Sequence, residues 1–354
     1  MKTIYIDPGH IDYSLIREAA DTLGRGKIVS LPTETVYGLA SITDNSQAVD
    51  RLYELKGRSK EKPFTYALGD SEHALSDYFI TLPPFGYRLI ERFWPGPLSI
   101  VYHSQKGTRV GVRVPAHQVA REVIKNLGAA IYLPSANKSG QKEAVSAQEV
   151  GEIFGEELDL IVDAGACTYG QPSTVVDLTF SPYKILRQGV IPESEILKTF
   201  IRKRILFVCT GNTCRSPMAQ FLFEKYLREA KPYLVGRYEV ISRGTGALTG
   251  SKPTSNVTKI MRVLERIDTA DFISRRIDRR AILSSDHIFT MDDNQAQYIL
   301  QLEPSAEGRV FPLKKFLPPE LERDIPDPIG KGNEVYEEAY FLIKKAILEL
   351  REWL

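Results

Sequence analysis

The segment RILFVCTGNTCRSPMAQFLFEKYL, residues 204–227, restricts the possible architecture more than any other. RILFV is an apolar run of strand length, too short for a buried helix. TGNT is a polar loop whose glycine and asparagine tolerate left-handed backbone angles. SPMAQFLFEKYL then shows helical spacing. A buried strand feeding a helix starts a right-handed β–α–β crossover, which needs a parallel sheet with helices on its faces. The pattern continues through YEVIS, SDHIFTM with a following helix, GRVFPL, and the amphipathic stretch EVYEEAYFLIKKAILELREWL. The second half therefore predicts a four-stranded parallel sheet with flanking helices.

The same segment carries chemistry. Backbone N–H groups of the loop and the positive end of the helix after Ser216 form an anion site. A thiol at the loop base, Cys209, sits in that field, which favours the thiolate. Arg215, six positions on, supplies a planar fork for two phosphoryl oxygens. The Ser216 hydroxyl is placed to donate to the sulfur. C-x5-R-S thus encodes a phosphate site with a built-in nucleophile, and a reaction through cysteinyl-phosphate. The leaving group needs an acid. DIPDPIG offers Asp327, with Asp324 as a second candidate.

With 354 residues, the chain exceeds one ordinary domain. Its first half alternates strand-like and helix-like stretches as well, so the fold class is α/β throughout. IDYSLIREAADTLGRG, SQAVDRLYELKGR and HQVAREVIKNLG read as helices. KIVSLPT, SIVYHS, RVGVRVP, AAIYLPSA, LDLIVDAG, STVVDLT and YKILRQG read as strands. The pattern loosens after Gly189, placing the boundary near 200, with domains at 1–198 and 203–354. The net charge of +1 advertises neither nucleic acid nor an anionic membrane. Three cysteines are too few for a disulfide framework, and a reducing cytoplasm is expected. No zinc-type spacing occurs among the five histidines, and no metal site is predicted. MKTIYIDPGH has no signal-peptide core. No apolar run approaches the roughly 20 residues of a membrane span.

VCTGNTCRSPMAQ with IPDPIG, supported by ISRGTG and FTMDD, resembles the low-molecular-weight protein-tyrosine phosphatase family over about 204–354. The resemblance implies a Rossmann-like fold, with Cys209 as nucleophile, Arg215 as phosphate clamp and Asp327 as general acid. Thr210, Gly211, Asn212, Thr213, Cys214 and Ser216 complete the phosphate loop. No cofactor is implied. Two residues depart from the tyrosine-specific pattern: Thr213 replaces a larger aliphatic residue, and Ile329 replaces an aromatic after Asp-Pro. Thr213 matches the protein-arginine phosphatase branch, so phosphoarginine is favoured over phosphotyrosine. A reversible Cys209–Cys214 disulfide is a further expectation. Arsenate reduction would need another cysteine after Cys214, and none follows.

In the first half, polar clusters follow strands or helix ends. LPTETVYGLA brings Thr33, Glu34, Thr35 and Tyr37. KGRSKEKP brings Lys56, Arg58, Lys60 and Lys62. LPSANKSG brings Ser135, Asn137 and Ser139, while QPSTVVD and ILRQG bring Ser173, Thr174 and Arg187. Hydroxyls and amides around fixed cations suit a nucleoside triphosphate and a small carboxylate. With WPGPLS and VGVRVP, these motifs are similar to the YrdC-like threonylcarbamoyl-AMP synthase family over about 12–190, which implies a twisted α/β domain. The family makes threonylcarbamoyl-adenylate from L-threonine, bicarbonate and ATP for the t6A modification of tRNA, and hands it to downstream transfer machinery. The resemblance implies that Lys56 and Arg58 hold phosphates and carbamate, and that Ser135, Asn137, Ser173 and Arg187 meet the nucleotide. Thr33, Tyr37 and Arg113 would surround threonine. Mg²⁺ is expected with ATP, but no dedicated carboxylate cage is found, and Glu34 and Asp177 are no more than candidates. The rival reading is an RNA-binding module using a basic concavity.

Overall fold

The computed structural model describes residues 2–71 and 77–353. It divides into two compact units: Met1–Leu82 with Arg88–Leu197, and Pro83–Tyr87 with Lys198–Leu354.

In the first unit, α1 (Tyr13–Gly24) starts where the Asp12 carboxylate accepts from the Ser14 N–H. Helix α2 (Ser46–Lys56) is capped by Asn45 and stops at Gly57, whose φ of 57° is left-handed. Helices α3 (Pro84–Phe93), α4 (Gln118–Leu127), α5 (Ala147–Phe154) and α6 (Glu193–Ile201) follow, of which α3 and α6 each fall partly in the second unit. The strands are β1 (Lys2–Tyr5), β2 (Val29–Leu31), β3 (Gly38–Ile42), β4 (Tyr66–Ala67), β5 (Leu98–His103), β6 (Arg109–Arg113), β7 (Ile131–Tyr132), β8 (Leu160–Asp163), β9 (Thr174–Asp177) and β10 (Lys184–Arg187). They form one mixed sheet in the order β1-β8-β2-β3-β7-β4-β6-β5-β9-β10. Alternate residues of a strand face opposite sides. Leu160 and Val162 accordingly join α1 and α4 in one buried cluster, while Ile161 joins α2 and α5 in another.

The second unit holds β11 (Lys203–Cys209), β12 (Tyr238–Gly244), β13 (His287–Thr290) and β14 (Val310–Pro312), all parallel, in the order β12-β11-β13-β14. This is the four-stranded parallel sheet that the sequence predicts. One face packs on α7 (Arg215–Ala230), α8 (Ser255–Glu265) and α11 (Asn333–Trp353). The other packs on α9 (Arg279–Leu283) and α10 (Asp293–Leu302). Glu265, buried at the end of α8, ties three helices together. It accepts from Lys225 of α7 at 2.8 Å, from Lys344 of α11 at 2.6 Å, and from the Tyr340 hydroxyl. Burial opposes its charge, yet these three donors hold its carboxyl down to about 2.

Strand β11 is central, and its register sets Cys209 opposite Gly244. Among the described residues, the cis peptides Trp94–Pro95 and Ser181–Pro182 precede proline. Among the described residues, no helix is long and apolar enough to cross a membrane.

Candidate active sites

The phosphate loop lies at the C-terminal end of β11, where an α/β sheet opens a crevice. The Cys209 sulfur is buried and accepts from the Asn212 backbone N–H at 3.2 Å. The Ser216 hydroxyl sits 3.0 Å from it. Asn212 has φ +52°, a left-handed angle that turns its N–H toward the sulfur. Its side chain holds that turn: Nδ2 donates to Ser216 at 2.9 Å and to Ser242 at 3.0 Å, and Oδ1 accepts from the Arg275 N–H at 2.8 Å. Ser216 therefore has its own proton left for the sulfur. Ser242 in turn donates to Gln220 at 2.7 Å. The neighbouring strand must come close: a Cβ on Gly244 would lie 2.5 Å from the Thr210 carbonyl and 2.9 Å from the Asn212 nitrogen.

Arg215 is buried at the start of α7. Nη1 donates to the Ile325 carbonyl at 2.9 Å and to Asp292 at 3.2 Å, and Nη2 donates to Asp327 at 2.7 Å. Of the two candidate acids, Asp327 meets Arg215, whereas Asp324 is paired with Lys314 at 3.0 Å. The Ile329 N–H donates to Asp327 Oδ1 at 3.2 Å, and the Ile329 side chain is 56% exposed. Asp292 and Gln295 carry no role in the sequence reading. Asp292 caps α10 and braces Arg215, and Gln295 reaches Thr210 at 3.2 Å. FTMDD contains Asp292, but only the fold brings it to Arg215. Cys209 and Cys214 are both free thiols. The Cys214 sulfur faces Thr254 at 3.5 Å and Tyr336 at 3.8 Å.

In the first unit, a cavity of about 570 Å³ is lined by Thr33, Thr35, Arg58, Arg109, Arg113, Ser135, Ser173 and Arg187, among others. Four guanidinium groups at one concavity make an anion site. Arg187 holds Ser173 through Nε to its carbonyl and Nη2 to its hydroxyl, both at 3.0 Å. Burial, then the charge of Arg113, pushes Arg187 below its ordinary pKa. Arg58 donates to the Lys62 carbonyl at 2.9 Å and lies over the Phe64 ring at 5.2 Å.

Other residues are positioned differently from the sequence expectation. Lys56 does not line the cavity. As the last residue of α2 it is 3% exposed, and its ammonium donates to the Ser135 carbonyl at 2.6 Å, the Asn137 carbonyl at 2.7 Å and Asn137 Oδ1 at 2.6 Å. Burial and the nearby Arg58 bring it down to about 8. The left-handed turn at Gly57 then sends Arg58, not Lys56, to the cavity. Asn137 is likewise engaged inside its loop, donating to the carbonyls of Lys138 and Gln141. Tyr37 borders the cavity, but its hydroxyl points into the core and donates to the Gly165 carbonyl at 2.7 Å. Burial pushes that phenol up. The Thr33 hydroxyl donates to the Val36 carbonyl at 2.5 Å, closing the turn.

Neither carboxylate suggested for Mg²⁺ is open. Glu34 accepts from Arg113 at 2.6 Å and from the Ala116 N–H at 2.9 Å. Asp177 is fully buried, ion-paired with Arg109 and bonded to Thr179. No cluster of three or more His, Cys, Asp or Glu able to hold a metal occurs among the described residues. These residues do not form a resident metal site.

Comparison with known proteins matches both units. The Sua5/YciO/YrdC family profile, described as Telomere recombination, covers residues 21–189. The profile for low molecular weight phosphotyrosine protein phosphatase covers 204–354. The threonylcarbamoyl-AMP synthase of Pyrococcus abyssi is 38% identical over 199 residues, 54% of this chain and 58% of that protein. A putative threonylcarbamoyl-AMP synthase of Mycobacterium leprae is 35% identical over 191 residues, 51% of this chain and 86% of that protein. The chain thus spans little more than half the length of the P. abyssi protein and of a Bacillus subtilis synthase, at 58% and 55%. The crystal structure of P. abyssi Sua5 complexed with L-threonine superposes with a TM-score of 0.54 at 25% identity, over 88% of this chain and 99% of that one. The chain belongs to the threonylcarbamoyl-AMP synthase family through its first half and carries a low-molecular-weight phosphatase domain in its second.

Proposed function

We propose that the chain is a bifunctional cytoplasmic enzyme, with a synthase at 1–198 and a phosphatase at 203–354. The synthase joins L-threonine, bicarbonate and ATP into threonylcarbamoyl-AMP for t6A formation. The four-arginine cavity is the observation that carries this half. Threonine's amine adds to carbon dioxide derived from bicarbonate, losing a proton and giving a carbamate. A carbamate oxygen then attacks the α-phosphorus, and pyrophosphate leaves. Negative charge accumulates in both steps, and fixed arginines offset it without reorganisation. Arg58, Arg187 and the Ser135 and Ser173 hydroxyls serve the nucleotide, Lys56 shapes the Ser135–Asn137 loop, and Arg113 takes the threonine carboxylate. Mg²⁺ arrives as part of the nucleotide substrate.

The phosphatase acts on phosphorylated proteins. The Cys209 sulfur, held by the Asn212 N–H and Ser216, is the observation that carries it. Sulfur forms a bond to phosphorus while the bond from phosphorus to the leaving nitrogen or oxygen breaks, and Asp327 gives the leaving group its proton. Arg215 releases Asp327 to grip the phosphoryl oxygens. Asp327 then takes a proton from water, which attacks phosphorus and frees Cys209. Thr213 and the non-aromatic Ile329 support phosphoarginine as the preferred substrate, since neither offers a stacking surface to a phenol ring. Hydrogen peroxide would switch this site off by oxidising the Cys209 thiol to a sulfenic acid with loss of one water. The Cys214 thiol then displaces the sulfenic hydroxyl as a second water to form the Cys209–Cys214 disulfide.

Steady-state kinetics on phosphoarginine and phosphotyrosine peptides test the preference. Wild type should favour phosphoarginine, and Thr213→Ile should move the ratio toward phosphotyrosine. A wild-type preference for phosphotyrosine refutes the assignment. Arg58→Ala should abolish threonine- and bicarbonate-dependent pyrophosphate release while sparing phosphatase turnover, and Cys209→Ser should do the converse.

A further inference from the structure

Glu34 is 7% exposed and both of its oxygens are committed, Oε1 to Arg113 Nη2 and Oε2 to the Ala116 N–H. Arg113 Nη2 also donates to the Thr35 hydroxyl at 3.0 Å, and Nε donates to the Gly96 carbonyl at 3.1 Å. Thr35 and Arg113 both line the cavity. The guanidinium is therefore fixed along its Nε–Nη2 edge by three acceptors from two segments, residues 34–35 and residue 96. Among the described residues, no acceptor occupies Nη1. Arg113 shares the cavity with Arg58, Arg109 and Arg187, whose charges would drive an untethered guanidinium toward solvent.

We propose that Glu34 is a positioning residue for the synthase reaction: it locks Arg113 so that Nη1 is the edge offered to the amino-acid carboxylate. The proposal rests on the reading that Arg113 meets that carboxylate. Glu34 itself touches no substrate, because neither of its oxygens is free. Its charge also offsets that of Arg113, as Asp177 offsets that of Arg109, which leaves Arg58 and Arg187 for phosphates. A neutral amide at position 34 can still serve the Ala116 N–H, but gives Arg113 no charge to hold it. The consequence is confined to the amino acid and does not reach the nucleotide.

The test uses the full chain and measures pyrophosphate release for Glu34→Gln, Glu34→Asp, Arg113→Ala and the Glu34→Gln/Arg113→Ala double variant. Loss of a charge-assisted hydrogen bond predicts a threonine KM raised roughly 10- to 100-fold in Glu34→Gln. The ATP KM should stay at the wild-type value, and this also reports that the unit is folded. Glu34→Asp, which keeps the charge on a shorter arm, should recover part of the loss. Added to Arg113→Ala, Glu34→Gln should cause no further change, since the two act as one unit. A parallel rise in both KM values, or multiplying effects in the double variant, overturns the proposal. A raised threonine KM in Arg113→Ala with no change in Glu34→Gln overturns the positioning role alone. An unchanged threonine KM in Arg113→Ala overturns the carboxylate reading and the proposal with it. Should Glu34→Gln fail to fold, Glu34→Asp carries the same comparison.

Discussion

Ser216→Ala isolates the hydroxyl that faces the Cys209 sulfur. Ser216 has no exposed surface, so water does not substitute for its oxygen. It accepts one N–H from Asn212, and its proton has two acceptors in reach, the Cys209 sulfur at 3.0 Å and the Arg243 carbonyl at 3.4 Å. The shorter and charge-assisted contact wins once the sulfur is a thiolate. A hydrogen bond to a charged group contributes about 1.5–3 kcal/mol, which converts to a roughly 10- to 150-fold loss of kcat/KM. The loop should keep its shape, because Asn212 retains Ser242 and the Arg275 N–H. Hydrolysis of p-nitrophenyl phosphate measures the loss, and a thermal melt tests the fold. A variant that melts like wild type and turns over at the wild-type kcat/KM refutes the idea that Ser216 stabilises the thiolate. Ser242→Ala, which touches the sulfur only through Asn212, should cost less.

Three further outcomes follow from the geometry. Tyr37→Phe removes a core hydrogen bond to Gly165, so it should cost about 1 kcal/mol of stability while leaving the threonine KM unchanged; a raised KM would return the hydroxyl to the cavity. Glu265 has a folded pKa of about 2 against an ordinary 4.5, so its stabilisation is full above pH 4.5 and is lost as pH falls toward 2. That gap amounts to at most about 3 kcal/mol, so in urea unfolding followed by phosphatase activity Glu265→Gln should be less stable at pH 7 by up to this much. The difference should shrink by pH 3, and a gap independent of pH would count against the ion-pair account. Lys56 has a folded pKa of about 8 against 10.5, so the unfolded state binds the extra proton and stability rises with pH between those values. Lys56→Met should abolish that rise and speed amide exchange in the Ser135–Asn137 loop; unchanged exchange there would show that the loop does not depend on Lys56.

Legibility in the sequence followed chain distance. The phosphate loop was readable because strand, loop and helix are contiguous from Cys209 to Ser216, so local geometry alone brings sulfur, N–H groups and hydroxyl together. Thr213 and Ile329 were singled out against the phosphatase family's pattern, not by local geometry. The synthase cavity was readable as a set of polar clusters, but not in the facing of each side chain. Lys56 and Arg58 look equivalent in KGRSKEKP, and only the left-handed turn at Gly57 separates a buried loop brace from a cavity arginine. Tyr37, two positions after Thr35, reads as one more polar residue of the cluster, yet its ring belongs to the core.

By itself, the sequence determined the α/β class, the four parallel strands of the second sheet, and the strand–loop–helix setting that gathers Cys209, Asn212 and Ser216, because hydrophobic period and local loop geometry act over a few residues. Only the tertiary structure decided which charges are available. Arg113 meets Glu34 from 79 positions away, Arg215 meets Asp292 from 77, and Asp327 rather than Asp324 reaches Arg215 across 112. Such pairings depend on which ends of different strands converge, and burial then fixes whether a charge is spent on the scaffold or left for a ligand.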